Sequence, residues 1–104
     1  MAWIWAVLRI LPLLALAGCQ SYWTRPNATF EGFTSDHKAC VLEIGVPIAR
    51  EGDHETLLVY EDLYKNCLTA RGWQRVQGGA EAGRFRGIEE NELVREGSVP
   101  KQTP

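Results

Sequence analysis

Apolar side chains return every three or four residues in two separate stretches of the chain. In the first, Phe30, Phe33, His37, Cys40, Val41 and Ile44 share one helical face, while Glu31, Lys38 and Glu43 turn away. Thr29 suits the N-cap, because its hydroxyl can accept from an orphan amide of the first turn. Gly32 weakens this helix by about 1 kcal/mol relative to alanine, and Gly45 with Pro47 ends it. Val46 to Gly52 reads as a connector. The second stretch carries Leu57, Tyr60, Tyr64, Cys67, Leu68 and Arg71 on its inward stripe, widened by Leu63 and capped by Asp53 or Thr56. Glu61 and Lys65 stand four apart in the favourable order. Arg71 complements the dipole of the last turn, and Gly72 at C′ followed by Trp73 at C″ predicts a Schellman ending. The run Thr56 to Tyr60 is also β-branched and aromatic enough to begin as an extended segment.

Elsewhere the helical period fades. Arg25-Pro26-Asn27 is turn chemistry, since the residue before proline is pushed away from helix. Beyond Gln77, Gly78-Gly79, Gly83 and Gly87 break any repeat, and the chain finishes Pro100-Lys101-Gln102-Thr103-Pro104. Residues 77–104 are therefore read as a disordered tail, with Ile88 to Glu96 as a short marginal helix inside it.

The start of the chain is different again. Trp3 to Gly18 is almost wholly apolar, but a spanning helix needs about 20 uninterrupted apolar residues, and Arg9 and Pro12 split this run. Ile10 to Gly18 with its positive flank matches a cleavable signal better than a span. It closes in Leu16-Ala17-Gly18-Cys19, which resembles the lipobox of bacterial lipoproteins. The pattern departs from that family in having no lysine or arginine before Arg9. The resemblance implies cleavage after residue 18 and a diacylglyceryl group on the Cys19 thiol, with residues 19–28 as a tether. One acyl chain holds weakly at about 0.8 kcal/mol per buried methylene, whereas two or three hold durably. Gln20 and Ser21 follow the cysteine in place of the aspartate that resembles an inner-membrane retention signal. The implied address is the cell envelope, at the outer membrane and facing the periplasm. Tyr22 and Trp23 then either rest at the lipid headgroups or fold back over the helices.

Of three cysteines, the lipobox removes Cys19 and leaves Cys40 and Cys67 as an even pair. In an oxidising compartment such thiols persist as a disulfide. Closing the loop from Cys40 to Cys67 corresponds to roughly 3.6 kcal/mol by the chain-entropy relation. Both cysteines fall on the apolar stripe of their own helix. The expected architecture is thus mainly α: a small disulfide-linked antiparallel helical hairpin over residues 29–76, followed by the disordered tail. Phe33, Asp36 and Cys40, then Cys67, Gly72 and Trp73, form a Phe-x-x-Asp-x-x-x-Cys and Cys-x-x-x-x-Gly-Trp outline. It is similar to a group of small Cys-paired envelope lipoproteins of unknown function, and it transfers no catalytic residues.

The 104 residues include 11 basic and 13 acidic side chains, for a net charge of −2. Loss of Arg9 with a signal makes the remainder more acidic, so there is no footprint for nucleic acid and no polybasic patch for anionic lipid. His37, Cys40 and Cys67, with Asp53-His54-Glu55, are the candidate metal donors. Zinc sites take four ligands in paired short motifs, only one such pair exists here, and oxidation consumes both thiols. The chain is read as holding no metal and no cofactor. Ser35, Asp36 and His37 are adjacent but point in different directions on a helix, and triads are assembled by folding. Asp36 is assigned to the helix or a neighbouring backbone amide. Glu43, Glu51, Glu55 and Glu61 read as a solvated face rather than paired glycosidase carboxylates.

Two functional classes follow. One is a non-enzymatic structural or protein-interaction module, anchored in lipid through Cys19 and binding another envelope protein or a cell-wall component. The alternative is a small periplasmic ligand-binding or inhibitory protein using a groove lined by Tyr60, Tyr64 and Trp73. An exposed aromatic cleft favours the second, and a closed apolar seam favours the first.

Overall fold

The computed structural model describes residues 20–100. The stretch read as a signal, the lipobox-like Leu16-Ala17-Gly18-Cys19 and the last four residues lie outside the described part. Element order is β1 (Ser21–Thr24), α1 (Phe30–Ile44), β2 (Val46–Glu51), β3 (His54–Val59), α2 (Glu61–Ala70), β4 (Gln74–Gln77) and β5 (Glu92–Arg95). Two helices and five antiparallel strands in two sheets make this an α+β fold. The expected mainly α hairpin with a disordered tail is corrected: the first helix, the end of the second and the Cys40–Cys67 disulfide are present, but strands fill the segment between the helices and the stretches on either side of them.

The first helix forms as its sequence predicts. Thr29 is extended, and its hydroxyl accepts from the Gly32 amide at 3.0 Å. Phe33, His37, Cys40 and Val41 are its buried face. Gly45 ends it with its amide on the Val41 carbonyl at 2.8 Å. A side chain at Gly45 would not fit, because a Cβ there would lie 2.5 Å from that carbonyl oxygen and 3.0 Å from Leu57 Cβ.

The segment between the helices is not a connector plus an early helical turn. It is a β-hairpin, β2 paired antiparallel with β3, with Glu51 opposite His54 around Gly52-Asp53. Gly52 has φ 59°, the left-handed conformation this tight turn requires. The extended alternative for Thr56 to Tyr60 is the one realised. Leu57 and Val59 are buried while Leu58 between them is only partly so, the alternation of a strand. Pro47 lies on an edge strand and next to the β2 bulge, the places in a sheet where proline is tolerated.

The second helix is accordingly shorter than expected, but its end is the predicted one. The Trp73 amide reaches the Leu68 carbonyl at 3.1 Å and the Gly72 amide reaches Thr69 at 3.0 Å, with Gly72 at φ 92°. This is the Schellman pairing.

Within the stretch expected to be a tether, Ser21–Thr24 form a strand. Ser21 to Thr24 pair with Gln77 to Gln74, and Tyr22 and Trp23 are buried against the domain rather than held at headgroups. On its other side Trp23 exchanges two backbone hydrogen bonds with Phe85, at 2.7 and 2.9 Å. Glu92 to Arg95 add a third strand to the β2–β3 sheet instead of forming a helix. The region read as a disordered tail therefore delivers Ile88 and Val94 to the core and packs Phe85 against it. That core also holds Trp23, Phe33, Leu57, Val59, Tyr64, Leu68 and Trp73. It is closed by the Cys40–Cys67 disulfide, whose Cα atoms are 5.8 Å apart.

Candidate functional site

Two polar clusters flank the disulfide. The first centres on Asp36, which α1 aims at the C-terminal end of α2. Asp36 Oδ2 accepts from Trp73 Nε1 at 2.8 Å and from Arg25 Nη1 at 2.9 Å, and Oδ1 accepts from Arg71 Nη1 at 3.3 Å. Arg25 also lies over the Trp73 ring, 4.2 Å from its centroid, and donates to the Arg71 carbonyl at 3.2 Å. Asp36 thus serves neither its own helix nor a backbone amide: its partners are three side chains from β1's exit, the α2 terminus and Trp73. The outline Phe33, Asp36, Cys40 with Cys67, Gly72, Trp73 is explained physically. Phe33 meets Trp73 edge to face at 5.1 Å, Asp36 binds its indole, the cysteines bridge, and Gly72 makes the turn that delivers Trp73.

The sequence puts His37 and Tyr64 on the inward stripes of their helices but does not pair them. His37 Nδ1 and Tyr64 Oη are hydrogen-bonded at 2.7 Å in the interior. Each stands three residues before its cysteine, one turn earlier on its helix. Burial, and secondarily the charge of Lys38, pushes the His37 pKa down to about 4. Burial raises the Tyr64 phenol above its ordinary value; a hydrogen bond from the Ile88 backbone opposes this and the charges of Glu89 and Glu92 add to it. Both groups are neutral at pH 7, so the contact is one neutral hydrogen bond. Gly87 packs directly on it, since a Cβ there would lie 2.6 Å from Tyr64 Oη. His37 also lines a cleft of about 620 Å³ whose wall is the 86–100 segment, with Arg86, Glu89, Glu90, Glu92 and Arg95 around its polar rim.

The other sequence candidates are dispersed. Ser35 is exposed, Asp36 faces Trp73 and His37 faces Tyr64, so the three neighbours never converge. Cys40 and Cys67 are bonded to each other, and among the described residues no group of three or more His, Cys, Asp and Glu is placed to hold a metal ion. Glu43 pairs with Arg71, Glu55 with Arg50 across the hairpin, and Glu61 with Lys65 along α2, while Glu51 is exposed. Tyr64 and Trp73 are fully buried and Tyr60 stands apart at the surface, so these aromatics line no groove.

A surface feature replaces that groove. Leu58 faces away from the core between Leu57 and Val59, with Val46 directly opposite on one neighbour and Leu93 on the other. Val46, Leu58 and Leu93 thus form an apolar row across the outer face of the three-stranded sheet. Val46 is 45% exposed and Leu93 60%, with Ile48 exposed beside them at the β2 bulge. Among the described residues no helix is long and apolar enough to cross a membrane. No protein-family model, curated protein or solved structure matches the chain.

Proposed function

We propose that this chain is a small lipid-anchored envelope protein, acylated on Cys19, that works as a non-enzymatic interaction module rather than as a catalyst or a carrier of a small ligand. The apolar row Val46–Leu58–Leu93 carries this reading. A domain of this size ordinarily spends its apolar side chains on its core, and a contiguous apolar row left on the surface suits a protein partner. It favours the apolar face of another envelope protein over a cell-wall glycan, whose hydroxyls call for polar groups and exposed aromatic faces. The burial of Tyr64 and Trp73 argues against the alternative ligand groove. The bonded Cys40–Cys67 pair is consistent with an oxidising compartment, and thus with export. The outer membrane, facing the periplasm, is the proposed address.

The test is crosslinking of the full chain in intact envelope, followed by capture and identification of partners. Wild type should yield a discrete crosslinked species that Leu93→Lys loses while keeping its thermal stability, since Leu93 is exposed. Intact mass of the captured protein should show acyl chains on an amino-terminal Cys19. A crosslinking pattern unchanged by Leu93→Lys would reject the sheet face as the interaction surface, and a retained leader without acyl mass would reject the anchor.

A further inference from the structure

The first described residues leave almost no slack between an acylated Cys19 and the folded domain. Gln20 is the next residue, and its backbone carbonyl accepts from the Gly78 amide at 3.0 Å. Its side-chain Oε1 accepts from Tyr22 Oη at 2.8 Å, and β1 begins at Ser21, paired with Gln77. Adjacent Cα atoms are about 3.8 Å apart, so a lipid attached at Cys19 is fixed within a few ångströms of the Gln77–Gly79 turn. We infer that this end of the β1–β4 pair, Gln20 with Gln77 to Ala80 and Arg84, lies directly on the lipid headgroups. This rests on the acylation of Cys19 proposed above.

The chemistry of that end suits a phosphate-bearing surface. Gly78, Gly79 and Ala80 are small and present little bulk to hold the domain off. Arg84 is tied into the same turn, donating to the Gly79 carbonyl at 3.2 Å, and Arg86 stacks over the Tyr22 ring at 5.9 Å. Glu81 is the acidic side chain of this loop, and it is partnered by Arg84 at 3.6 Å. The tight leash and the arginines orient the domain, so any partner it meets must itself lie close to the bilayer. A loose tether of the kind the sequence suggests would instead let it sample any direction.

The experiment uses the full acylated protein, purified from cells and reconstituted in vesicles of phosphatidylethanolamine and phosphatidylglycerol doped with a headgroup-nitroxide phosphatidylcholine. A fluorophore is placed at Ala80→Cys or, on the turn of the other sheet, at Asp53→Cys, both exposed, with the native disulfide left intact. Quenching at position 80 should exceed that at 53 by about twofold or more. Inserting ten Gly/Ser residues between Cys19 and Gln20 adds roughly 17 Å of root-mean-square reach and should erase the difference. Acyl mass on Cys19 with equal quenching at the two positions, or with quenching indifferent to the spacer, overturns the apposition and leaves lipidation standing. Absence of acyl mass overturns both.

Discussion

Trp73 Nε1 donates to Asp36 Oδ2 at 2.8 Å, joining the residue that closes the second helix to the middle of the first. The carboxylate is mostly shielded, and it is the acceptor that keeps a buried indole N–H satisfied. Asp36→Ala leaves that N–H without its acceptor and removes one partner from each of Arg25 and Arg71, which keep the Arg71 carbonyl and Glu43 respectively. Loss of a hydrogen bond to a charged group costs about 1.5–3 kcal/mol, the range expected here. Urea unfolding should show a lower midpoint with an unchanged slope. Asp36→Asn, which still accepts from the indole, should recover part of the loss. Equal midpoints for wild type and Asp36→Ala would show that the pairing contributes nothing.

The neutral His37–Tyr64 pair makes stability depend on pH. Folded His37 has its pKa lowered to about 4, against 6.5 for the ordinary imidazole. Between those values the unfolded chain takes up a proton that the folded chain refuses, so this contribution is fully present above about pH 7 and drains away as pH falls toward 4. Its limit is roughly 3 kcal/mol, from about 1.4 kcal/mol per pKa unit. Unfolding midpoints measured across that window should fall toward acid in wild type and fall less in His37→Gln. Parallel curves for the two proteins would assign the acid sensitivity elsewhere.

Gly87→Ala tests the close packing on the same pair. A methyl group would sit 2.6 Å from Tyr64 Oη, and Tyr64 is locked between His37 and the core. Overpacking of this kind costs about 1–3 kcal/mol. Calorimetry should show the loss, and Gly79→Ala, where a Cβ meets nothing, serves as the neutral comparison.

What could be read from the sequence was local. Thr29, the stripe from Phe33 to Val41 and Gly45 define α1, and Arg71-Gly72-Trp73 define the end of α2, because caps are written in neighbouring residues. The β2–β3 hairpin is masked in the sequence because Leu57, Tyr60 and Tyr64 fit a helical period while Leu57 and Val59 fit a strand equally well. Gly52-Asp53 was the deciding signal, a two-residue turn type that favours a hairpin. The remaining strands are four residues each and pair across the chain, Ser21 with Gln77 and Leu57 with Val94, so no local pattern announces them. Of the glycines that read as disorder, Gly78, Gly79 and Gly83 lie in the bends and turns beyond β4, and Gly87 is a close approach to Tyr64. At the candidate site, the cysteines were legible by parity. The His37–Tyr64 contact joins two positions of the apolar stripes that the helical period does not pair, and Asp36–Trp73 is latent in nothing but the recurring outline.

Removing the disulfide separates the contribution of the cross-link from that of the packing around it. Cys40 is fully buried, and the bond spans a sequence separation of 27. The chain-entropy relation gives roughly 3.6 kcal/mol, a large part of the about 5–15 kcal/mol that holds a native domain. Cys40→Ala with Cys67→Ala should lower the unfolding midpoint sharply. Reductant should do the same to wild type and nothing further to the double variant. A double variant as stable as wild type would mean the core and its two polar clusters suffice alone.

Deletion from Gly78 onward is the most decisive test of the fold. If residues 78–104 were a solvated tail, their removal would scarcely alter unfolding. Here the same cut removes Ile88 and Val94 from the core, Phe85 from its stack on Phe33 at 5.5 Å, and β5 from the edge of its sheet. Burying each such side chain is worth about 1.5–3 kcal/mol, so three of them approach the whole stability of a small domain. The cut also exposes Leu57 and Trp23 and strands the backbone groups of Trp23 that Phe85 satisfies. The truncated chain should show no cooperative thermal transition and should be digested by protease at the rate of an unfolded chain. Val94→Ala, removing one of these contacts in place, should keep a cooperative transition at a lower temperature. A truncated chain that melts like the parent would return residues 78–104 to the solvent and leave the core to the helices and β1 to β4.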